Sequence, residues 1–336
     1  MIYLGIDTSN YKTSIAAVDD NGKILCDISE YLEVRLGERG LRQSEAFFKH
    51  SNKLPKLFAS LLKNIDVKDI AAVAVSEKPR RLEDSYMPCF IAGINLAEVL
   101  SETLKVPLLK FSHQEGHAAA IMETGDEHNN RNNVLLMHLS GGTTEILNCV
   151  SDEKGYSMKI IGGTLDISIG QLLDRFGVAL GFPFPAGMFI DEIAEKYSGG
   201  ELPKLTPGIR ITDGYFNLSG PETILLDFAR KYTQKYDTEG NKSSCSITIS
   251  DELISVCYEL IDRISDVLLI SSDYLTDIYN IDKVYMAGGV ASSETLRRII
   301  SDKHDDNKYK IVFGDPKLSG DNAVGTALLA RRIHSK

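Results

Sequence analysis

The chain opens with short apolar runs separated by polar segments. Residues 2–6 form an apolar run, and residues 14–18 resume as a second strand after the polar segment 7–10. This pattern predicts a β-hairpin, followed by a third strand over 23–26. A similar strand, loop and strand pattern returns over residues 134–150. Two copies of one unit indicate two related halves.

Between these strands, apolar residues recur with helical spacing. We predict helices over about 44–63, 89–104, 168–180, 222–235 and 251–273, with a further helix from about Glu294. Strands that alternate with helices predict an α/β protein.

The predicted halves divide the chain near residue 110. We expect an N-terminal half over 1–110 and allow for the C-terminal helix 321–336 to return to it. The second half then covers 111–320. It includes a segment over 188–250, rich in Gly, Pro, Lys and Ser, that we interpret as an insertion bearing loops.

The amino-acid composition and net charge indicate which classes of protein the chain can belong to. With 336 residues, 43% of them hydrophobic, the chain can bury a large core. It contains no apolar run near the roughly 20 residues of a membrane span and no leader pattern, so we expect a cytoplasmic protein without a membrane partner. Five cysteines without CxxC spacing indicate reduced packing residues. A net charge of -10 opposes unaided nucleic-acid binding, so such a partner would require a helper subunit or a basic patch.

The segment from Ser112 to His117 carries the first candidate chemistry. Ser112 and Glu115 have capping-box spacing, which predicts that a helix starts here. His113 and His117 are then one turn apart on one helix face and can bind a single metal ion. The alternative is a capped helix start with two surface histidines, because the positive helix N-terminus disfavours a cation.

Two glycine loops are candidates for binding phosphate or a base. Residues 140–144, with the sequence SGGTT, can present backbone amides to an anion, although a simple hairpin turn requires the same residues. Gly288 and Gly289 follow a buried strand and precede a helix, so bare backbone there can lie against an adenine ring or phosphate. A tight turn remains the alternative.

Taken together, these motifs resemble the TsaD/Kae/Gcp proteins, which are tRNA adenosine threonylcarbamoyltransferases. The resemblance runs from Gly5 to Ala323. The matching segments are His113-x-Glu115-Gly116-His117, Ser140-Gly141-Gly142, Gly163-Thr164-x-Asp166 through Gly170, Asp174, Phe184-Pro185-Ala186-Gly187, Asp191 and Ala287-Gly288-Gly289-Val290. The resemblance implies the fold class shared by actin, sugar kinases and heat-shock chaperone ATPases (ASKHA), with two related halves around a nucleotide cleft.

The resemblance also implies roles for individual residues. The implied ligands of one divalent metal, iron or zinc, are His113, His117 and Asp321. The implied pocket for an adenine nucleotide or acyl-adenylate is formed by His138, Leu139, Ser140, Gly141, Gly142, Asp174, Gly187, Asp191, Gly288, Gly289 and Ser293. Asp321 has an alternative role as a helix N-cap.

Two residues of the first loop are candidate catalytic groups. Asp7 either orients a metal-bound water or caps the hairpin turn. Lys12 replaces an acidic residue of the family pattern, and it either clamps a phosphate or lies on the surface.

The implied reaction moves a threonylcarbamoyl, or related carbamoyl, group from an adenylate to an amine acceptor such as tRNA adenosine. Departures from the family pattern occur at Lys12, Thr143, Ile167, Glu222 and Ser293, of which Glu222 reverses a charge and Ser293 replaces an asparagine, and residues 78–89 replace an early Pro-Gly loop. These departures indicate a divergent paralogue. We therefore predict a metal-dependent transferase, and keep as alternative a nucleotide-binding regulatory or partner protein without transferase activity. A small-molecule kinase draws support from Lys12 alone. Expected partners are the adenylate, tRNA with a helper subunit, and a second copy or a related protein in a dimer.

Overall fold

A computed structural model describes residues 1–9, 11–33, 41–124, 133–237, 247–318, 320 and 322–334. The contacts between residues divide the chain into two units. Unit 1 consists of Met1–Asn132, Val150–Met158 and Lys317–Lys336, and unit 2 of Asn133–Cys149 and Lys159–Pro316.

Unit 1 contains a five-stranded sheet. Its strands are β1 (Ile2–Asp7), β2 (Lys12–Asp19), β3 (Ile24–Tyr31), β4 (Ile70–Lys78) and β5 (Leu108–Ser112), in the order β3-β2-β1-β4-β5. The first three strands pair antiparallel, and β4 is parallel to both β1 and β5. The predicted hairpin and third strand are confirmed.

Helices cover both faces of this sheet. They are α1 (Gln43–Leu61), α2 (Ile91–Leu104), α3 (His113–Met122) and α9 (Val324–His334). Ile2, Leu4 and Ile6 of β1 belong to an apolar cluster with α1 and α2. The alternate residue Gly5 faces α9, where an added Cβ would lie 2.2 Å from the Ala323 carbonyl oxygen. Asp7 shares this face, because side chains two residues apart in a strand point the same way.

Unit 2 is built on a seven-stranded sheet. The strands are β6 (Asn133–Leu139), β7 (Thr144–Asp152), β8 (Gly155–Thr164), β9 (Ile211–Thr212), β10 (Tyr215–Phe216), β11 (Lys283–Ala287) and β12 (Lys310–Phe313). The helices are α4 (Ile169–Leu180), α5 (Gly187–Ala194), α6 (Ser219–Asp237), α7 (Asp251–Tyr279) and α8 (Glu294–Lys303). The strand order is β12-β11-β6-β7-β8-β10-β9.

The two sheets repeat one strand order. Read from its β9 edge, the unit 2 sheet has the order β8-β7-β6-β11-β12 in its last five strands, and the unit 1 sheet runs β3-β2-β1-β4-β5. In both, three consecutive strands are joined on one side by two strands that come later in the chain. The chain therefore contains two related halves, as the repeated pattern predicts.

The observed division differs from the predicted boundary near residue 110. Residues 111–124 belong to unit 1, because β5 pairs with β4 and α3 packs against α9. The segment 188–250, interpreted as a loop-bearing insertion, holds most of α5 together with β9, β10 and α6. Ile190, Phe216 and Leu225 from this segment are buried in the main apolar cluster of unit 2. These residues are therefore part of the fold of unit 2.

The five predicted helices and the helix from Glu294 are all present. The largest differences are the start of α6 at Ser219 and the end of α7 at Tyr279. Within the described residues, no helix is long and apolar enough to cross a membrane. Cys26, Cys89, Cys149 and Cys257 are free thiols, whereas Cys245 lies outside the described residues.

Candidate functional site

The start of α3 is fixed by the predicted capping box. The Ser112 hydroxyl accepts a hydrogen bond from the Glu115 N–H at 3.3 Å, and the Glu115 carboxylate accepts one from the Ser112 N–H at 2.8 Å. This reciprocal pair satisfies two backbone donors that a helix start otherwise leaves unpaired. His113 is consequently the first residue of the helix, and His117 lies one turn later.

A carboxylate and two imidazoles form a chain at this helix start. Asp7, 1% exposed at the end of β1, lies with its Oδ2 2.8 Å from His113 Nδ1. His113 Nε2 lies 2.9 Å from His117 Nε2, and the two rings meet edge to face. A proton on Nδ1, shared with Asp7, leaves the lone pair of His113 on Nε2. Asp7 therefore orients the ring whose other nitrogen faces His117.

The two Nε2 atoms are suitably placed to bind one metal ion. Nitrogens bound at about 2.05 Å are about 2.9 Å apart at the right angle of an octahedral ion and about 3.3 Å apart at the tetrahedral angle, so the separation of 2.9 Å seen here matches octahedral coordination. The same separation also permits a hydrogen bond between the rings. Within the described residues, no group of three or more His, Cys, Asp or Glu side chains forms a metal site. The third predicted ligand, Asp321, lies outside those residues.

Close helix packing sets the position of the histidine-bearing turn. Gly116 of α3 lies against Gly325 of α9, where an added Cβ would be 1.8 Å from the Gly116 carbonyl oxygen. Only glycine permits this approach. Asn322 caps α9 by accepting hydrogen bonds from the Val324 and Gly325 N–H groups.

The first loop places its two candidate residues differently. Asp7 also accepts a hydrogen bond from the Ser9 N–H at 2.9 Å, so it both holds the turn and contacts His113. The Lys12 ammonium lies 5.3 Å from the centre of the exposed Tyr31 ring. Burial raises the pKa of Asp27 and the Lys12 charge opposes that rise, so Lys12 also faces Asp27. Lys12 therefore faces two residues of β3, whereas Asp7 contacts His113 of α3.

Unit 2 contains a cavity of about 370 Å³. Of the predicted pocket residues, Gly141, Asp174, Gly187, Asp191, Gly289 and Ser293 line it. A glycine contact shapes one wall, because Gly170 at the start of α4 packs on the backbone of the first glycine loop. An added Cβ there would be 2.5 Å from both Gly141 Cα and the Ser140 carbonyl oxygen.

The other predicted pocket residues are not part of the cavity lining. His138 and Leu139 are in β6, and Leu139 is fully buried. The Ser140 N–H donates to the Thr143 carbonyl oxygen at 2.8 Å, which closes the turn around the exposed Gly142. Gly288, with φ of 103°, is placed where an added Cβ would lie 2.2 Å from the Leu139 carbonyl oxygen.

Two carboxylates in the cavity wall are held in place by hydrogen bonds. Asp174 Oδ1 accepts from the Ala186 and Gly187 N–H groups at 2.7 and 2.9 Å. Asp191 accepts from the Ser293 hydroxyl at 2.6 Å and from the Glu294 N–H at 3.1 Å. These contacts make Asp174 and Asp191 fixed hydrogen-bond acceptors beside an otherwise largely apolar space.

The apolar wall of the cavity was not predicted. It consists of Leu173, Met188, Ile261, Ile264, Val290 and Leu296. The amphipathic pattern of 251–273 predicts that such residues are buried, but it does not say which of them face a cavity. Apolar walls with a few fixed polar groups are typical of small-molecule sites.

The substituted Glu222, and Asp166 beside the substituted Ile167, have clear structural partners in unit 2. Glu222, in the first turn of α6, is paired with Arg175 at 2.7 Å. Asp166, beside the substituted Ile167, accepts from the Leu218 and Ser219 N–H groups at the start of α6. Although burial alone would raise the pKa of Asp166, hydrogen bonds from Ser219, Leu218 and Ile167 hold it well below its usual range.

Comparisons with known proteins agree with the resemblance seen in the sequence. The profile of the TsaD family, tRNA N6-adenosine threonylcarbamoyltransferase, matches residues 34–328. A tRNA N6-adenosine threonylcarbamoyltransferase of Methanopyrus kandleri is 28% identical over 99% of this chain and 88% of its own length. One of Christiangramia forsetii is 29% identical over 96% of this chain and 89% of its own length.

Solved structures confirm the fold class. The (R)-2-hydroxyglutaryl-CoA dehydratase component A of Acidaminococcus fermentans matches with a TM-score of 0.52 at 14% identity, covering 100% of both chains. HypF of T. kodakarensis matches with a TM-score of 0.55 at 11% identity, covering 99% of this chain and 47% of its own. At such identities the likeness shows the fold alone, which is the predicted ASKHA α/β class.

Proposed function

Because the chain belongs to the TsaD family of tRNA N6-adenosine threonylcarbamoyltransferases, we propose that it is a metal-dependent transferase. Its donor would be a threonylcarbamoyl-adenylate, or a related carbamoyl-adenylate, and its acceptor an amine such as that of a tRNA adenosine. The observation that carries the proposal is the chain Asp7–His113–His117, with hydrogen-bond distances of 2.8 and 2.9 Å.

The reaction can be written with its atoms balanced. The acceptor amine forms a bond to the carbamoyl carbon, the bond from that carbon to the phosphate oxygen breaks, and AMP leaves with the electron pair. The amine gives up one proton to solvent. A bound divalent metal would supply Lewis-acid stabilisation of the negative charge on the leaving phosphate. His113 and His117 would hold this ion, and Asp7 would fix the orientation of the His113 ring.

The cavity in unit 2 supports the nucleotide part of the proposal. Its apolar wall offers contact area for a base, and Asp174 and Asp191 are acceptors suited to sugar hydroxyls. Gly141 and Gly289 bring bare backbone to the same space. We therefore assign the cavity to the adenine nucleotide or the adenylate part of the donor.

Turnover of a supplied donor tests the proposal. The protein, zinc or ferrous iron, threonylcarbamoyl-adenylate and tRNA are incubated together, and AMP release and modified adenosine are measured by mass spectrometry. We expect both products from the wild type and a rate at least about ten-fold lower from His117→Ala, with metal content reduced in parallel. Equal metal content and equal turnover in the two proteins would refute the assignment.

One observation favours a second candidate, a nucleotide-binding partner protein without transferase activity. Lys12 replaces a family carboxylate, and its ammonium lies against Tyr31. If the family carboxylate is needed for transfer, this chain would bind the adenylate but would not release AMP. Two results together would support this second candidate. Calorimetry would detect binding of the adenylate, and no AMP would form in the presence of metal, tRNA and a related partner protein.

A further inference from the structure

Glu115 lies between the two histidines of α3 and is 2% exposed. Its Oε2 accepts hydrogen bonds from the Ser112 N–H and hydroxyl, both at 2.8 Å. Its Oε1 accepts from the Tyr156 N–H at 3.1 Å. Both oxygens of one buried carboxylate therefore hold backbone donors, one at the helix start and the other in the hairpin formed by β7 and β8.

A positive charge faces this carboxylate from a third segment. Arg81, in the segment between β4 and α2, lies with Nη1 2.8 Å from Asp152 and 3.6 Å from Glu115 Oε1. The Gln114 N–H donates to the Pro79 carbonyl oxygen at 3.1 Å, so the same segment meets α3 at a second point. This segment is where the chain departs from the family's early Pro-Gly loop.

We propose that Glu115, with Arg81 as its counter-charge, is a positioning residue for the His113 and His117 pair. The inference rests on the metal site of the proposed function and adds to it the groups that hold the ligands. His113 is the first residue of α3, and the first turn of a helix is the part that most readily frays. Loss of that turn would move His113 relative to His117 and change the separation of the two Nε2 atoms.

The glycine at position 155 supports a close fit around this carboxylate. Gly155 has φ of 143°, and an added Cβ there would lie 2.4 Å from Glu115 Oε1. The hairpin backbone thus approaches the carboxylate so closely that no side chain fits between them. The Tyr156 N–H donates to Glu115 Oε1 at 3.1 Å in this same stretch, so the carboxylate is held directly against the hairpin backbone.

Substitution of Glu115 by glutamine gives a sharp test. The amide of Glu115→Gln must present its NH₂ group either to the Ser112 donors or to the Tyr156 N–H, so one acceptor is lost at nearly constant volume. Arg81→Met removes the counter-charge and retains an apolar stem. Lys53→Met is the matched control, because it removes another ion pair of unit 1, Lys53 with Glu30 at 2.5 Å, that does not involve α3.

Two properties are measured on each full-length variant at a temperature where it is folded. Zinc affinity is obtained by competition with a chromophoric chelator. The imidazole resonances are followed by NMR without metal and assigned through their loss in His113→Gln and His117→Ala. We expect Glu115→Gln to weaken zinc binding at least about ten-fold, Arg81→Met by a smaller factor, and Lys53→Met by less than about two-fold. The imidazole resonances should shift in the first two variants only.

The two readouts separate this inference from the proposed function. If the wild type binds no zinc, the metal site fails, and the imidazole resonances alone then decide whether Glu115 positions the histidines. Unchanged zinc affinity and unchanged resonances in Glu115→Gln would overturn the inference, even if that variant melts earlier. If Glu115→Gln does not fold, Arg81→Met and Ser112→Ala decide the matter by the same two measurements.

Discussion

Alanine at position 170 should push α4 away from the first glycine loop of unit 2. Gly170 is the second residue of α4, and its added Cβ would lie 2.5 Å from Gly141 Cα and from the Ser140 carbonyl oxygen. Both atoms belong to backbone, so no change of side-chain rotamer relieves the contact. Non-bonded heavy atoms ordinarily lie at least about 3.5 Å apart. The helix and the loop must therefore separate by about 1 Å.

The size of the effect follows from two opposing contributions. Overpacking of this kind costs about 1–3 kcal/mol. Alanine instead of glycine in a helix contributes at most about 1 kcal/mol of stabilisation. With the full helix gain subtracted, we expect Gly170→Ala to be destabilised by up to about 2 kcal/mol. This corresponds to a fall of up to about 8 °C in Tm, at the 2–4 °C per kcal/mol that is usual for roughly 150–250 residues. Affinity for an adenine nucleotide should fall as well, because Gly141 lines the cavity.

Gly220 provides a matched control for this experiment. It is likewise the second residue of its helix, α6, and an added Cβ there meets nothing within 4 Å. Gly220→Ala should leave Tm unchanged or raise it slightly, and nucleotide affinity should not change. Thermal unfolding followed by circular dichroism and calorimetric binding of AMP and ATP give the two quantities. A Gly170→Ala protein as stable as Gly220→Ala would refute the steric argument.

Three further predictions concern unfolding and tRNA. Burial, opposed by the Asp7 charge, lowers the pKa of His50 to about 4, below its unfolded value of about 6.5. Stability should therefore be lost as the pH falls from about 6.5 towards about 4, and urea titrations should show that His50→Gln flattens this slope. Asp166→Ala removes the acceptor of two N–H groups at the start of α6 and should cost about 1 kcal/mol by the same titration. The chain alone, at net charge -10, should bind tRNA weakly and with strong salt dependence in filter binding, and sub-micromolar binding at physiological salt would contradict this.

The features that the sequence predicts well are local ones. The capping box at Ser112 and Glu115 requires only residues three apart, and the structure contains both of its hydrogen bonds. Histidines four apart then meet on one face, whatever surrounds the helix. The repeated strand, loop and strand pattern similarly predicted two related halves, because each copy is built from neighbouring residues.

Features set by long-range packing could not be predicted. Ile261 and Ile264 of α7 resemble its many other buried residues, and only the placement of α5 and α8 puts them beside the cavity. Asn322 was not recognised from the sequence as the residue whose side chain accepts from the first turn of α9. The start of that helix depends on the contact of Gly325 with Gly116, more than two hundred positions away.

The position of Lys12 is likewise a matter of strand register. Its place opposite Tyr31 follows from the pairing of β2 with β3, in which Ser14 lies opposite Ser29. A shift of one residue would move Lys12 to the other face of the sheet. The charge of Lys12 was visible in the sequence, but its neighbours were not.

The departures from the family pattern affect the two units differently. In unit 2, Ser293 replaces the family asparagine, yet its hydroxyl donates to Asp191 and accepts from the Leu296 N–H. Glu222 reverses a charge and is paired with Arg175. The Ser293 substitution therefore keeps the hydrogen bond to Asp191 in the cavity wall, and Glu222 retains an ion-pair partner. In unit 1, Lys12 and the segment that carries Arg81 introduce charges at the first loop and beside α3. For the proposed transferase, we therefore predict that any difference in activity from the family lies in the group transferred or in its acceptor, and that binding of the adenine nucleotide is kept.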